Sequence, residues 1–504
     1  MCLTVVGRGG RGRLARRERA RRPASANPSS LRAAPMPPLL AALALSGCAA
    51  VGPNFERPAA IVSPQFKEIK GWKIATPRES EPKGAWWSVF HDAELDRLER
   101  VVAVSNQTVK ADEANYRQAL ALINEARAGL FPTVNGTGSA TRAAKTGIAL
   151  TTLTAQASGT WMLDVWGQVR REIEAQQAGA ETSAANLANA TLAAQSALAL
   201  AYVTLREADS LEDLLAETVT QYKHSLTITQ NQYNAGTAAK SDVITAETQV
   251  LNAQAQLIAA EVSRAQSEHA IAVLMGRPPA DLSVPRGALA TRVPSIPVGL
   301  PSSLLERRPD VAAAEETMRG ANAGIGVAFA GYFPAISLNG LIGYSGNPFD
   351  AALGPTNPVW SFGASMAQPL FNAGLTTAQV EAARQTYEQD VATYRQTVLS
   401  AIQQVEDALA GIRILSREAK VQAENVRISR QATQITLNEY QAGTQAFTAV
   451  VVAEAQQLSA EEALLSTQAQ VQTDVVNLIA ALGGGWTQSR LPDVVAQTSD
   501  IPPH

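Results

Sequence analysis

Apolar and small residues recur at alternating spacings of three and four along two very long stretches of this chain. Ala184, Leu187, Thr191, Ala194, Leu198, Ala201 and Leu205 mark the first seam; Val391, Tyr394 and Val398, then Ile402, Val405, Leu409 and Ile412, mark the second. A repeat near 3.5 sustained this long predicts coiled-coil helices, and abundant Ala lets them approach closely. Residues 168–235 contain one glycine, Gly179, and no proline, and residues 375–442 contain only Gly411. A helix of that length extends about 100 Å. Each stretch ends in a Tyr-x-x-Gly-Thr turn, followed by 39 further residues without Gly or Pro, 237–275 and 444–482. Gly236 and Gly443 suit left-handed caps between antiparallel helices. The pattern predicts two long helical hairpins.

Ahead of each hairpin the period changes to two. Leu153, Ala155, Ala157, Gly159 and Trp161 alternate with Thr152, Thr154, Gln156, Ser158 and Thr160; Ile336, Leu338, Gly340, Ile342 and Tyr344 repeat the pattern, as do Trp360, Phe362, Ala364 and Met366. A weaker run through Val134, Gly136, Gly138 and Ala140 completes a first β-hairpin turning near Lys145, Thr146 and Gly147. Such alternation fits strands with one lipid-facing and one aqueous face, and fits a soluble sheet as well. If the four strands span a membrane, the chain must oligomerise, because open sheet edges are intolerable in lipid and single-chain barrels begin at eight strands.

The two halves are copies. NQYNAGT at 231–237 matches NEYQAGT at 438–444, an offset of 207 that also pairs Val243, Ala246, Glu247 and Gln249 with Val450, Ala453, Glu454 and Gln456. AGLFP at 128–132 answers AGYFP at 330–334. We divide the chain into a signal segment, 1–47; an N-terminal extension, 48–90; repeat one, 91–290; repeat two, 300–487; and a tail, 488–504.

Composition narrows the class. The net charge of the 504 residues is −3, but residues 1–47 hold nine Arg and one Glu, so the remainder carries −11. An acidic body excludes a nucleic-acid binder. The longest apolar run, residues 39–45, is far too short to span a bilayer as a helix. An Arg-dense region, a short apolar core and LSGC at 45–48 make a bacterial secretory signal ending in a lipobox, so Cys48 is expected to become a lipidated N-terminus. This lipobox tips the strands toward a membrane. The region before the apolar core is long, and a start at Met36 leaves no positive residue, so upstream sequence is expected to be used. The other cysteine, Cys2, lies within the signal, which leaves the body without a thiol for metal or redox chemistry. The GRGGRG run at 7–12 has no strand before it and is no dinucleotide fingerprint.

The segment CAAVGPNFERP at 48–58 and the segment LPSSLLERRPDV at 300–311, with Ala314, Glu315, Ile325, Gly326, Phe333 and Pro334 behind it, resemble the TolC-like outer-membrane efflux lipoproteins of the NodT type. The resemblance covers roughly residues 48–490. It implies a mainly α protein with membrane β: a homotrimer whose twelve-stranded outer-membrane β-barrel continues into a twelve-helix periplasmic α-barrel. It implies a diacylglycerol and an N-palmitoyl group on Cys48, with Ala49 directing the protein outward. The implied partners are outer-membrane lipid, a periplasmic adaptor and an inner-membrane pump of the resistance-nodulation-division class. Tyr233, Gly236, Thr237, Tyr440, Gly443 and Thr444 then form the tip turns that adaptors touch. The family's gate positions fall on Ser241, Asp242, Tyr440, Gln445, Ala449 and Val452. Two of the family's features are altered here: Gln445 replaces an Arg, and Ala449 and Val452 replace acidic rings. A Tyr440 to Asp242 hydrogen bond is expected to tie the tip, while the constriction is left open between an acidic one and an apolar one that closes by dewetting.

No enzyme signature is present: His91, His224, His269 and His504 are scattered, and HExxH, P-loop and GxSxG motifs are missing. Trp72, Trp86 and Trp87 are read as anchors of the extension, and Arg307 and Arg308 as structural residues before Pro309. The competing functions are the outer-membrane element of type I protein secretion and a non-conducting, lipid-tethered coiled-coil scaffold.

Overall fold

The computed structural model describes residues 50–69, 85–145, 148–294, 296, 298, 301–346, 358–494 and 497. The signal segment, Cys48, Ala49, Trp72, the turn residues Thr146 and Gly147, and His504 lie outside the described residues.

Seven helices carry the architecture: α1 (Ala93–Ser105), α2 (Gln107–Ala128), α3 (Gln168–Asn234), α4 (Lys240–Leu274), α5 (Pro309–Ala330), α6 (Leu375–Gln441) and α7 (Phe447–Ala481). The copies agree in length: 22 residues in α2 and α5, 67 in α3 and α6, 35 in α4 and α7. α3 and α6 begin directly after left-handed Gly167 and Gly374 and run on through the isolated Gly179 and Gly411, since one glycine in a long run of good helix formers costs only about 1 kcal/mol. The predicted seams are the packed faces. Ala184, Ala194, Leu198 and Leu205 are buried, as are Val391, Tyr394, Val398, Val405, Leu409 and Ile412; Leu187, Thr191, Ala201 and Ile402 are half-buried.

In the half nearer the Gly236 and Gly443 turns the helices line up as α4, α3, α7, α6, each packed on the next; in the other half the order is α2, α3, α5, α6. The 67-residue helices run the whole way, while their neighbours are made of two pieces stacked end to end. At the α4/α2 junction Asn106 Nδ2 donates to the Leu274 carbonyl (2.8 Å) and Ser105 Oγ to that of Met275 (2.6 Å). At the α7/α5 junction buried Arg308 donates to the Ala481 carbonyl (2.9 Å), to Gln404 (2.9 Å) and to Asp310 (2.6 Å). Each side chain satisfies a carbonyl orphaned at a helix C-terminus, where a cation is also favoured by the dipole. Arg308 is therefore a structural residue, as its place before Pro309 suggested.

The four strands β1 (Thr133–Lys145), β2 (Ile148–Leu163), β3 (Ala335–Gly346) and β4 (Pro358–Ala367) form one antiparallel sheet in chain order. In register, Val134, Gly159, Gly340 and Phe362 make one cross-strand row, which puts every apolar residue of the alternating pattern on a single face. The opposite face carries hydroxyls and amides that bond across strands, such as Ser337 to Ser365 at 2.8 Å. Trp360 and Phe362 remain 77% and 76% exposed, so among the described residues nothing covers this part of the apolar face. Among the described residues, β1 and β4 pair on one side only.

The extension straps the helices. Phe66, Trp86 and Trp87 are buried in the main core, and the Trp86 indole donates to Gln195 (3.3 Å). Arg57 pairs with Glu315, and Glu406 accepts from the backbone of Lys67 (2.6 Å) and Glu68 (2.9 Å). Trp86 and Trp87 are thus anchors of the extension.

Candidate functional site

The two turns share one backbone. Gly236 and Gly443 have φ of 78° and 75°, and Thr237 and Thr444 each return both N–H and Oγ1 to a carbonyl five residues back, Gln232 and Glu439, at 2.8–3.0 Å. Such a cap needs positive φ, which glycine adopts without a Cβ penalty. Gly236, Thr237, Gly443 and Thr444 are all exposed.

The tyrosines differ. Tyr233 is 39% exposed, with the Lys240 ammonium 5.4 Å from its ring centre, whereas Tyr440 is 5% exposed and packs against Phe447 at 5.2 Å. Tyr440 joins Phe447, Val450 and Ala246 in a small core that knits the second turn to α4. The same motif therefore makes one outward-facing tip and one tucked tip.

The expected Tyr440 to Asp242 bond is not formed. The Tyr440 hydroxyl is buried without a hydrogen-bond partner of ordinary geometry; Thr229, close enough to act on it, donates its own hydroxyl to the Ser225 carbonyl (2.9 Å). Burial is the main cause that raises the Tyr440 pKa. Asp242 has only a long 3.5 Å contact with Ser241. The physical reason is the Phe447 contact: a ring pulled into an apolar core carries its hydroxyl away from the helix-end carboxylate. One tie between the hairpins at the turns is backbone-directed, Gln232 Nε2 donating to the Tyr440 carbonyl (3.1 Å). Gln445 caps its own turn by accepting from the Ala446 N–H (3.2 Å). Ala449 is half-buried and Val452 is 55% exposed, so neither position bears charge. Replacing Tyr440 by Phe should leave single-channel conductance unchanged and stabilise the fold by about 1 kcal/mol, since a buried unpaired hydroxyl is removed; replacing Gln232 by Ala should raise conductance. Planar-bilayer recordings and thermal unfolding of the two variants check this.

Gln232 was invisible to sequence reasoning, as was a buried contact of Ser225 with Glu454 described below. Glu454 repeats Glu247, yet Glu247 is exposed and Glu454 buried. Nothing in the repeated motif distinguishes them. Among the described residues, no group of three or more His, Cys, Asp or Glu is placed to hold a metal ion. No described helix is long and apolar enough to cross a membrane.

The sequence profile described as "Outer membrane efflux protein" matches residues 100–277 and 300–484, each segment containing one complete helical hairpin. The chain belongs to the outer membrane efflux protein family. It is similar to the probable efflux pump outer membrane protein TtgC of Pseudomonas putida, 30% identical over 459 residues that cover 88% of this chain and 94% of that protein. Outer membrane protein OprJ of Pseudomonas aeruginosa is 29% identical, covering 90% of this chain and 96% of that protein. Among solved structures, the outer-membrane channel OprN superposes with a TM-score of 0.80 at 27% identity, covering 86% of this chain and 99% of that one. The uncovered apolar face of the sheet thus belongs to an outer-membrane efflux channel of TolC-like fold.

Proposed function

We propose that three copies of this chain close into a passive conduit, a twelve-stranded barrel in the outer membrane continuous with a twelve-helix tube in the periplasm. One observation carries the reading: the sheet and the helical layer each end in unpartnered edges, and the helical edges are complementary. On α4, Ile244, Leu251 and Ile258 are 53%, 63% and 63% exposed; on α6, Ile414, Val421, Ile428 and Ile435 are 47–70% exposed. Both sets repeat every seven residues, the spacing of a coiled-coil seam. Ile244, Leu251 and Ile258 lie four, eleven and eighteen residues past the start of α4, and Ile435, Ile428 and Val421 lie six, thirteen and twenty before the end of α6. An α4 from one copy and an antiparallel α6 from the next therefore meet level by level. A β1 edge paired with the next β4 closes the sheet in the same way and leaves no open edge in lipid.

The tips, about 100 Å from the sheet along α3 and α6, are where a periplasmic adaptor engages Gly236, Thr237, Gly443, Thr444 and the exposed Tyr233. A resistance-nodulation-division pump supplies the transport energy, and the cargo is small molecules. Cys48, carrying diacylglycerol and N-palmitoyl, anchors the chain beside its barrel; Ala50 packs against Gly167 and the Val51 N–H bonds the Trp166 carbonyl (3.0 Å) at the foot of β2, which supports an anchor at that level. With Ala449 and Val452 at the ring positions, the constriction is apolar and closes by dewetting.

The chain has no cysteine beyond Cys2 and Cys48. Leu251→Cys combined with Ile428→Cys should give a disulfide-linked trimer on a non-reducing gel, while either change alone gives monomers. Linked dimers with no trimer, or no linkage at all, count against the proposed closure.

A further inference from the structure

Directly above the tip, the seam between the two hairpins of one chain contains a carboxyl that no cation reaches. Ser225 on α3 donates to Glu454 Oε1 on α7 at 2.5 Å; the two residues are 2% and 4% exposed. The second oxygen, Oε2, is buried without a partner. Every other polar group around it is committed elsewhere or is itself acidic. On α3, Thr229 serves the Ser225 carbonyl, Gln221 faces Gln457 (3.4 Å), and the Tyr222 phenol is held well above its ordinary value by burial and by the nearby acids. On α6, Thr433 bonds the Ala453 carbonyl (3.1 Å) and Arg430 is taken by Glu461 (2.6 Å). On α7 itself stand Glu461 and Glu462, while α4 offers Val250 and Ala253 beside Tyr222.

We propose that Glu454 is the positioning residue of the tip, holding the two hairpins together through Ser225 while its carboxyl is protonated and releasing them when it ionises. The inference rests on the conduit reading above. Glu454 lies seven residues past the start of α7, about 10 Å from the turn. Widening the tip requires the α3/α7 seam to part there. A neutral carboxyl tolerates this buried, singly hydrogen-bonded site, whereas a carboxylate without a cation does not. Burial accordingly pushes the Glu454 carboxyl up to about 7, with the Ser225 bond lowering it slightly. In an open tip water reaches the group and its value falls back toward the ordinary carboxylate range. The closed arrangement thus binds the proton more tightly. Its advantage is complete at acid pH and is lost as pH rises through about 7.

Purified trimer in planar bilayers tests this, with the open frequency of wild type expected to rise roughly tenfold or more between about pH 5.5 and about pH 8. E454Q, neutral throughout, should stay mostly closed with a flat profile, and S225A should open more often at the acid end. Infrared difference spectra of wild type against E454Q supply a readout independent of conduction and cancel the bands of other buried carboxyls such as Glu99 and Glu316, whose pKa values burial also raises: a protonated-carboxyl carbonyl band present near pH 6 and lost near pH 8. Pores whose opening is flat with pH in wild type, or an E454Q profile that follows wild type, overturn the proposal even if the band is seen. So does a spectrum without the band, whether or not pores form. Failure to form any pore refutes the conduit reading itself.

Discussion

Ile428→Asp should abolish the trimer. Ile428 is 51% exposed on the apolar stripe of α6, and in the proposed trimer it lies opposite the level of Leu251 on α4 of the next copy. Placing a carboxylate there buries a charge beside two arginines, Arg427 and Arg430, that are already paired with Glu424 and Glu461, which costs several kcal/mol at each contact after relaxation. The penalty recurs at every contact of a closed ring, so dissociation constants should rise by at least about a thousandfold. Light scattering of detergent-purified protein should report monomers, and cells relying on the variant should become as drug-sensitive as a deletion strain. Gln256→Asp, at an exposed position on another side of α4 from Leu251, is the control and should leave the trimer intact. An Ile428→Asp protein that stays trimeric would refute the α4/α6 seam.

The second large effect separates glycines that share a backbone conformation but not a neighbourhood. Gly443 at the tip has φ 75° and nothing within 4 Å of an added Cβ, so Gly443→Ala should cost only the left-handed penalty, about 1–2 kcal/mol. At the stacked-helix junctions, Gly276 and Gly483 have φ 67° and 92°, and an added Cβ lands 2.3 Å from the Ser105 carbonyl oxygen and 2.0 Å from that of Arg307. Backbone atoms cannot swing aside as a flexible side chain does. Gly483→Ala and Gly276→Ala should therefore each cost at least about 3 kcal/mol more than Gly443→Ala, enough to remove most folded protein. Thermal unfolding in detergent, with membrane-fraction yield as a second measure, distinguishes the two classes.

The elements that sequence reasoning located well are those whose ends are set by local chemistry. The long helices stop within a residue of where Gly236 and Gly443 demand, and all four strands follow the period-two pattern because register ties each apolar face to its neighbour's. Contacts between elements distant in sequence were hidden. Tyr233 and Tyr440 occupy one motif, but only the second copy places a Phe, Phe447, where the first has Lys240, and Tyr440 packs inward on that ring, away from Asp242. The burial of Glu454 follows from α7 lying between α3 and α6, whereas its counterpart on α4 lies at an edge. Arg308 and Asn106 solve the same junction with different chemistry, so no shared motif announced it.

The tucking of one tyrosine and not the other has a consequence for symmetry. In the proposed trimer, two near-identical copies in each of three chains give a tube that is almost sixfold, yet its six hairpin ends alternate between two kinds, three offering an aromatic ring to the periplasm and three withholding it. A partner that docks through that ring meets three equivalent footholds, not six, spaced a third of a turn apart. A partner that reads only the glycine backbone meets six. The side chain at one position per repeat thereby sets how many subunits the tube can seat around its end.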